Sequence, residues 1–268
     1  MLWPLPPTSS ARAASPGPIT SARWLITQQR RRPELSARLT IAGIRPSDRP
    51  MDHSSRNRLN ERHLPLFAGT TLFDAIARAV CRAGCLPRKE LFEAWEVARR
   101  VRRRFRGGRI VDLACGHGLL AQILLLLDDR SPVALAVDHR ITASAATLAA
   151  VLCIKWPRLQ ERVRLVETDL AEVPLHADDL VVSAHACGGL TDLILDRAVT
   201  ARARVAVLPC CHNLDGADLG GLDGWMGGPL AMDAARVFRL RQQGYRVFTQ
   251  RIPSEITPQN RLLLAEPK

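Results

Sequence analysis

From residue 107 to the C-terminus, short apolar runs alternate with segments of helical period. Residues 109–114, 133–138, 163–167, 180–184, 205–208, 245–251 and 261–265 read as strands, and 118–127, 141–152, 190–199 and 230–243 as helices. Nearly continuous apolar strands separated by helices predict an α/β domain, a doubly wound, seven-stranded and mostly parallel sheet covered on both faces. Before it, residues 64–105 carry helical spacing: Leu72, Ala75, Ile76, Ala79 and Val80 mark one apolar stripe, and Leu91, Trp95, Ala98 and Val101 a second. Residues 1–50 show no sustained period and are rich in Pro, Ser, Ala and Arg. The pattern therefore divides the chain into a leader (1–50), a helical extension (51–106) and an α/β domain (107–268). The leader reads as disordered or as sequence upstream of a start at Met51, while its Arg- and Ser-rich, acid-poor content also fits a transit peptide.

Charge changes the picture more than overall composition does. The 268 residues carry a net charge of +12 with a sequence pI near 10.5, a bias toward anionic partners with RNA (tRNA or rRNA) or DNA foremost. Residues 1–50 hold eight arginines against Glu34 and Asp48, half of that net charge. The second helical stripe ends in Arg99, Arg100, Arg102, Arg103, Arg104 and Arg106. These form either a solvated helix end that suits the macrodipole or a patch facing RNA. The longest apolar stretch, 119–127, is interrupted by Gln122 and is far shorter than the roughly 20 residues of a membrane span. The seven cysteines are odd in number and several lie in apolar runs, so a reducing, cytoplasmic compartment is expected rather than a disulfide framework.

Candidate chemistry gathers at the strand ends, where doubly wound folds bind ligands. After the first strand comes Asp112-Leu-Ala114-Cys-Gly116-His-Gly118. Its glycines permit a tight turn and close approach of a ligand, and the next helix begins with N–H groups aimed at it. Asp112 is placed to accept hydrogen bonds from an ammonium group. Asp138 ends the second strand, 22 residues beyond Gly116, where a carboxylate binds ribose hydroxyls. Asp169 follows the third strand and suits an adenine amino group.

This segment resembles the first motif of class I S-adenosylmethionine-dependent methyltransferases, acid-x-Gly-x-Gly-x-Gly, with Ala114 in place of the first glycine. A closer resemblance rests on His185-Ala-Cys187-Gly188-Gly-Leu-Thr-Asp192 and Pro209-Cys210-Cys211-His212. These segments are similar to the domain shared by the methyltransferase-like 25 proteins, the tRNA methyltransferases of the 13 type and the glutathione-S-transferase C-terminal-domain-containing protein, over roughly residues 85–268. The resemblance implies a Rossmann-like methyltransferase fold and S-adenosyl-L-methionine as cofactor, bound by Asp112, Ala114, Gly116, Gly118, Asp138 and Asp169. It names no acceptor.

The ends of the fourth and fifth strands should bring His185, Cys187, Cys210, Cys211 and His212 together. They either line the site as packing residues or act in it. His185 and His212 are the candidate proton acceptors, histidine having an ordinary pKa near 6.5, and His185 lies close enough to the loop to touch the cofactor as well. Cys210 or Cys211 could serve as a nucleophile if its pKa were lowered. A zinc site is the third reading, but the His-x-Cys and Cys-Cys-His spacings are tighter than the usual zinc loops, so no metal is assigned. Two rivals remain: a nicotinamide-dependent oxidoreductase, because Gly116-x-Gly118-x-x-Ala121 also fits a dinucleotide fingerprint, and a methyltransferase-shaped, non-catalytic RNA-associated protein. The glycine-rich stretch 213–228 reads as a mobile rim or a substrate lid.

Overall fold

The computed structural model describes residues 57–209 and 211–268; the expected leader and Cys210 lie outside the described residues. Seven strands form one sheet in the order β3-β2-β1-β4-β5-β7-β6. They are β1 (Ile110–Leu113), β2 (Ala134–Asp138), β3 (Val163–Glu167), β4 (Leu180–Ser183), β5 (Arg204–Val207), β6 (Tyr245–Arg251) and β7 (Arg261–Pro267). The five strands from β3 to β5 pair in parallel, while β7 runs antiparallel between β5 and β6. The doubly wound, seven-stranded sheet expected from the apolar pattern is thus present. Each strand lies within a residue or two of its expected limits.

Alternation along the strands sorts the side chains between two cores. Ile110, Ala134, Leu180 and Val182 face α1 (Leu72–Ala83), α2 (Arg88–Arg104), α3 (Leu119–Leu127) and α4 (Ala143–Lys155). Val111, Leu113, Val181 and Val205 face α5 (Gly189–Thr200) and α6 (Gly228–Gln242). The central strands β1 and β4 are buried throughout, as strands covered on both sides must be. The strand order turns back between β1 and β4, which places the crevice of an open α/β sheet outside their carboxyl ends.

Helix α1 starts from a reciprocal cap: Thr71 Oγ1 accepts the Asp74 N–H at 3.1 Å and Asp74 Oδ2 accepts the Thr71 N–H at 3.3 Å. It ends at Gly84, in the left-handed conformation at φ 65°. Helix α2 runs beside α3 in the same direction, since its first turn meets the start of α3 and its last turn meets the end. At the far end Arg102, 2% exposed, donates to the Leu124 carbonyl at 3.1 Å and to Ser131 Oγ at 2.7 Å, with Asp128 at 3.3 Å.

The basic helix end is solvated in part: Arg103, Arg104 and Arg106 are exposed, while Arg102 turns inward. Arg102 is buried; Arg99 and Arg100 pair with Glu96 on their own helix; Arg104 pairs with Glu266 and covers the Phe248 ring; Arg106 donates to the Leu127 carbonyl. Arginine stems pack along apolar surface and guanidinium groups bind carbonyls in a fork; within this cluster Arg102 and Arg106 fasten α2 to α3, and Arg104 ties it to β7. The cluster lies at the amino-terminal ends of the strands, opposite the crevice.

Candidate active site

The glycine loop bends sharply between β1 and α3. Ala114, Gly116 and Gly118 all lie at positive φ (56°, 55° and 67°). A β-carbon on Gly118 would sit 3.1 Å from that of Ala136, so the glycine lets α3 pack closely on β2. Ala114 takes the left-handed conformation at some cost in strain where the resembling motif has glycine. Asp138, at the end of β2, accepts the Gly116 N–H through Oδ2 at 2.9 Å and lies beside His139 Nδ1 at 2.6 Å. The two expected cofactor segments are therefore one hydrogen-bonded unit.

Beyond Asp138 opens a cleft of about 480 Å³ lined by Ala114, Asp138, His139, Glu167, Thr168, Asp169, Leu170, Leu190 and Leu193. A lining that combines carboxylates with leucines suits a nucleoside, polar at the sugar and apolar around the base. Asp169 also caps the short turn Leu170–Glu172 by accepting the Ala171 N–H at 2.8 Å. Glu167, unnoticed in the sequence, accepts the Ile141 N–H at 2.8 Å and so anchors the loop after β2.

Asp112 does not face this cleft. It is 1% exposed and accepts the Ala121 N–H at 3.2 Å. Burial pushes its carboxyl up to about 8; the Ala121 bond opposes this and the charge of Asp138 adds to it. A proton bound more tightly in the folded than in the unfolded state gives stability that is complete below about pH 4 and lost as pH rises toward 8. The variant Asp112→Asn keeps the acceptor for Ala121 and removes the ionisation. We expect it to be more stable than wild type at pH 7.5 by at least about 1 kcal/mol, one pKa unit being about 1.4 kcal/mol, with the gain disappearing near pH 4. Thermal melts across that range check it; parallel curves for the two proteins would refute a buried, neutral Asp112.

A second, small pocket lies on the other side of the loop. Glu90, Ala94, Asp112, Cys115, His117, Leu119, Leu120, Ala184 and His185 line it. His117 Nδ1 is 2.9 Å from Glu90 Oε2 on the first turn of α2, and the His185 ring lies alongside Gly116. Burial raises the Glu90 carboxyl, but the His117 hydrogen bond and the neighbouring His185, His117 and Lys89 outweigh it and leave it below the ordinary carboxylate range. Burial drives the Cys115 thiol upward, which makes it a poor nucleophile.

The paired segments meet at the ends of the neighbouring strands β4 and β5. The Gly188 N–H donates to the Cys211 carbonyl at 3.2 Å, and Thr191 Oγ1 donates to the Ala186 carbonyl at 2.8 Å. Asp192 binds Arg236 (Nε 3.1 Å, Nη2 2.6 Å) and Arg239 (2.6 Å) on α6. Arg236 also binds Asp233 at 3.1 Å, and Asp233 in turn holds His212 Nε2 at 2.9 Å and Arg261 Nε at 2.6 Å. Of the five cluster residues, His185 thus faces the loop pocket, whereas the buried His212 ring turns toward α6. Cys187 and Cys211 are exposed, and Cys210 falls outside the described residues. Among the described residues no three His, Cys, Asp or Glu side chains gather as metal ligands. The glycine-rich stretch forms turns between β5 and α6, with Trp225 86% exposed.

Sequence reasoning missed Glu90 and the Asp192–Arg236–Asp233 network. An acid in the first helical turn reads as a dipole partner, and arginines on a surface-type helix read as solvated; only long-range packing distinguishes these.

A family model described as a methyltransferase domain matches residues 90–214, a span that takes in the glycine loop, Asp138, Asp169 and both paired segments. A comparison with curated proteins finds no match. Among solved structures, the chain is similar to the tRNA methyltransferase TrmK of Bacillus subtilis (15% identity, 66% of this chain and 65% of that one, TM-score 0.43). It is also similar to a ribosomal protein methylase of Lactobacillus delbrueckii (16%, 67% and 78%, 0.42) and to an O-methyltransferase family protein of Burkholderia thailandensis (14%, 72% and 62%, 0.42). The chain spans just under two thirds of the length of the first. The fold assignment itself rests on the strand order and on the antiparallel β7.

Proposed function

We propose that the chain is an S-adenosylmethionine-dependent methyltransferase whose acceptor is RNA. The observation that carries the reading is the joined unit of glycine loop and Asp138, opening on a nucleoside-sized cleft that ends in Asp169 and Leu170. The residues present fit the cofactor: Asp138 for the ribose, Asp169 with Leu170 and Leu190 for the base, and the backbone around Ala114 and Gly116 for the close approach. S-adenosylmethionine supplies, when bound, a methyl group carried on a sulfonium. The chain's own part is to hold and orient it and to handle the acceptor's proton. His185, at the end of β4 and against the loop, is the proton acceptor on this reading. His212, held by Asp233, positions the segment after β5. Cys211 stands exposed beside it, and with Cys210 remains a candidate contact for the acceptor. The matched methyltransferase domain supports the reaction class.

The nicotinamide reading fits less well. The usual dinucleotide-binding sheet runs 3-2-1-4-5-6 with parallel strands, whereas here antiparallel β7 lies between β5 and β6. RNA as acceptor rests on the net charge of +12. No helix among the described residues is long and apolar enough to cross a membrane, and a cytoplasmic location remains part of this proposal.

The test is calorimetric titration of the full chain with S-adenosylhomocysteine and with NADH, followed by methyl transfer from tritiated S-adenosylmethionine to tRNA, rRNA and protein fractions. We expect micromolar binding of S-adenosylhomocysteine alone and label in an RNA fraction. NADH binding alone would overturn the reaction class. Label in protein alone would overturn the acceptor. Cofactor binding with no label in any fraction would favour the non-catalytic rival.

A further inference from the structure

We propose that Glu90, on the helical extension rather than on the sheet, is the carboxylate that binds the ammonium of the cofactor's amino-acid end, with His117 fixing its position; this rests on the cofactor reading above. The glycine loop separates two spaces. The nucleoside-sized cleft lies on the Asp138 side. On the other side, the small pocket between α2, the loop and β4 holds two carboxylates, Asp112 and Glu90. This second pocket, of about 10 Å³, has room for a group the size of an ammonium, and on the proposed reading a ligand whose sugar lies at Asp138 brings its ammonium to it by passing the loop.

The two carboxylates are not equivalent. Asp112 is 1% exposed, is already bonded to the Ala121 N–H, and favours its neutral form because burial penalises the anion. Its evident work is to fasten the start of α3 to β1. Glu90 has a side chain 26% exposed, and the His117 ring engages its Oε2, which leaves Oε1 as the second accepting position. His117, His185 and Lys89 all favour its charged form, against the cost of burial. The next acid along the helix, Glu93, is buried and lies 3.6 Å from Lys89. An ammonium group entering this pocket therefore meets one ready anion, Glu90. A link between α2 and the loop also explains why α2 is held so firmly: Arg102 fastens its far end, so the position of Glu90 is set from both ends of the helix.

The experiment compares two ligands on the full chain. S-adenosylhomocysteine has the amino-acid end, whereas 5′-methylthioadenosine shares the nucleoside and the sulfur but lacks it. Glu90→Gln keeps the hydrogen bond with His117 and removes the charge. By titration calorimetry we expect Glu90→Gln to weaken S-adenosylhomocysteine about tenfold or more, the worth of one charge-assisted hydrogen bond, while 5′-methylthioadenosine binds as in wild type. That second affinity also reports that the variant is folded. We further expect the loss to exceed that of Asp112→Asn. Equal losses for both ligands, no loss for either, or a larger loss in Asp112→Asn would overturn the assignment and leave the cofactor reading standing. A wild-type chain that binds neither ligand would remove the cofactor reading and this assignment together.

Discussion

Replacing Asp138 by alanine is expected to remove measurable binding of S-adenosylhomocysteine, a fall in affinity of about 100-fold or more. Two contributions add. On the proposed reading the carboxylate accepts hydrogen bonds from the cofactor's ribose, each charge-assisted and worth about 1.5–3 kcal/mol. Two such bonds amount to roughly two decades or more in affinity. In addition, Asp138 Oδ2 holds the Gly116 N–H at 2.9 Å, so the variant frees the loop that must approach the ligand, and the ordering of that loop is then charged against binding. Asp138→Asn should lie between the two proteins, because an amide oxygen can still accept the Gly116 N–H but lacks the charge. Calorimetry reads the affinities and thermal melting shows whether the sheet is intact. Affinity of the alanine variant within threefold of wild type would remove Asp138 from the ribose site.

The second large effect is on stability. Arg236→Met is expected to lower the stability of the protein by about 3 kcal/mol, the low end of the range for breaking a buried ion pair. Arg236 is 2% exposed and joins Asp192, Asp233 and the Gly188 carbonyl. Methionine fills much of the same space and leaves two carboxylates without their central partner. The cost stays near the low end because Arg239 still reaches Asp192, while His212 and Arg261 still reach Asp233. For a domain of this size about 3 kcal/mol corresponds to a fall in Tm on the order of 10 °C. The sign of the pH dependence follows from Asp192. Burial raises its carboxyl, but Arg236 and Arg239 outweigh that and hold it below the ordinary carboxylate range. Its contribution is present above about pH 4 and lost as acid carries the pH below that. The deficit of Arg236→Met should therefore shrink in strong acid. A Tm within 2 °C of wild type at pH 7 would show that the network is not a structural clamp.

The network bears on the site as well as on stability. Arg236 reaches across from α6 to the Gly188 carbonyl, and Asp192 and His212 belong to the two segments on which the closer resemblance rests. Those segments therefore combine one residue that faces the loop pocket, His185, with several that lock β4, β5 and α6 together. A motif of this kind carries architecture and chemistry in the same few residues.

The linear pattern alone determined the sheet and its place in the chain. The central strands β1 and β4 are buried on both faces and so are apolar at nearly every position, whereas the edge strands β3 and β6 carry polar residues and are marked by their place in the alternation with helices and turns. Gly116, Gly118 and Asp138 were equally legible, because a tight turn next to a strand end and a carboxylate at the next strand end are requirements of local geometry. Partnership across the fold was not legible. Glu90 and His117 are 27 residues apart, Arg102 and Ser131 are 29, and Asp192 and Arg236 are 44. No periodicity relates such positions, and a charged residue that will be buried looks the same in sequence as one that will meet water. Only the docking of α2 along α3 turned Arg102 inward and carried Glu90 to the loop. The free energy of a buried charge depends on the partner that arrives from elsewhere in the chain, so that part of the site was decided by tertiary structure.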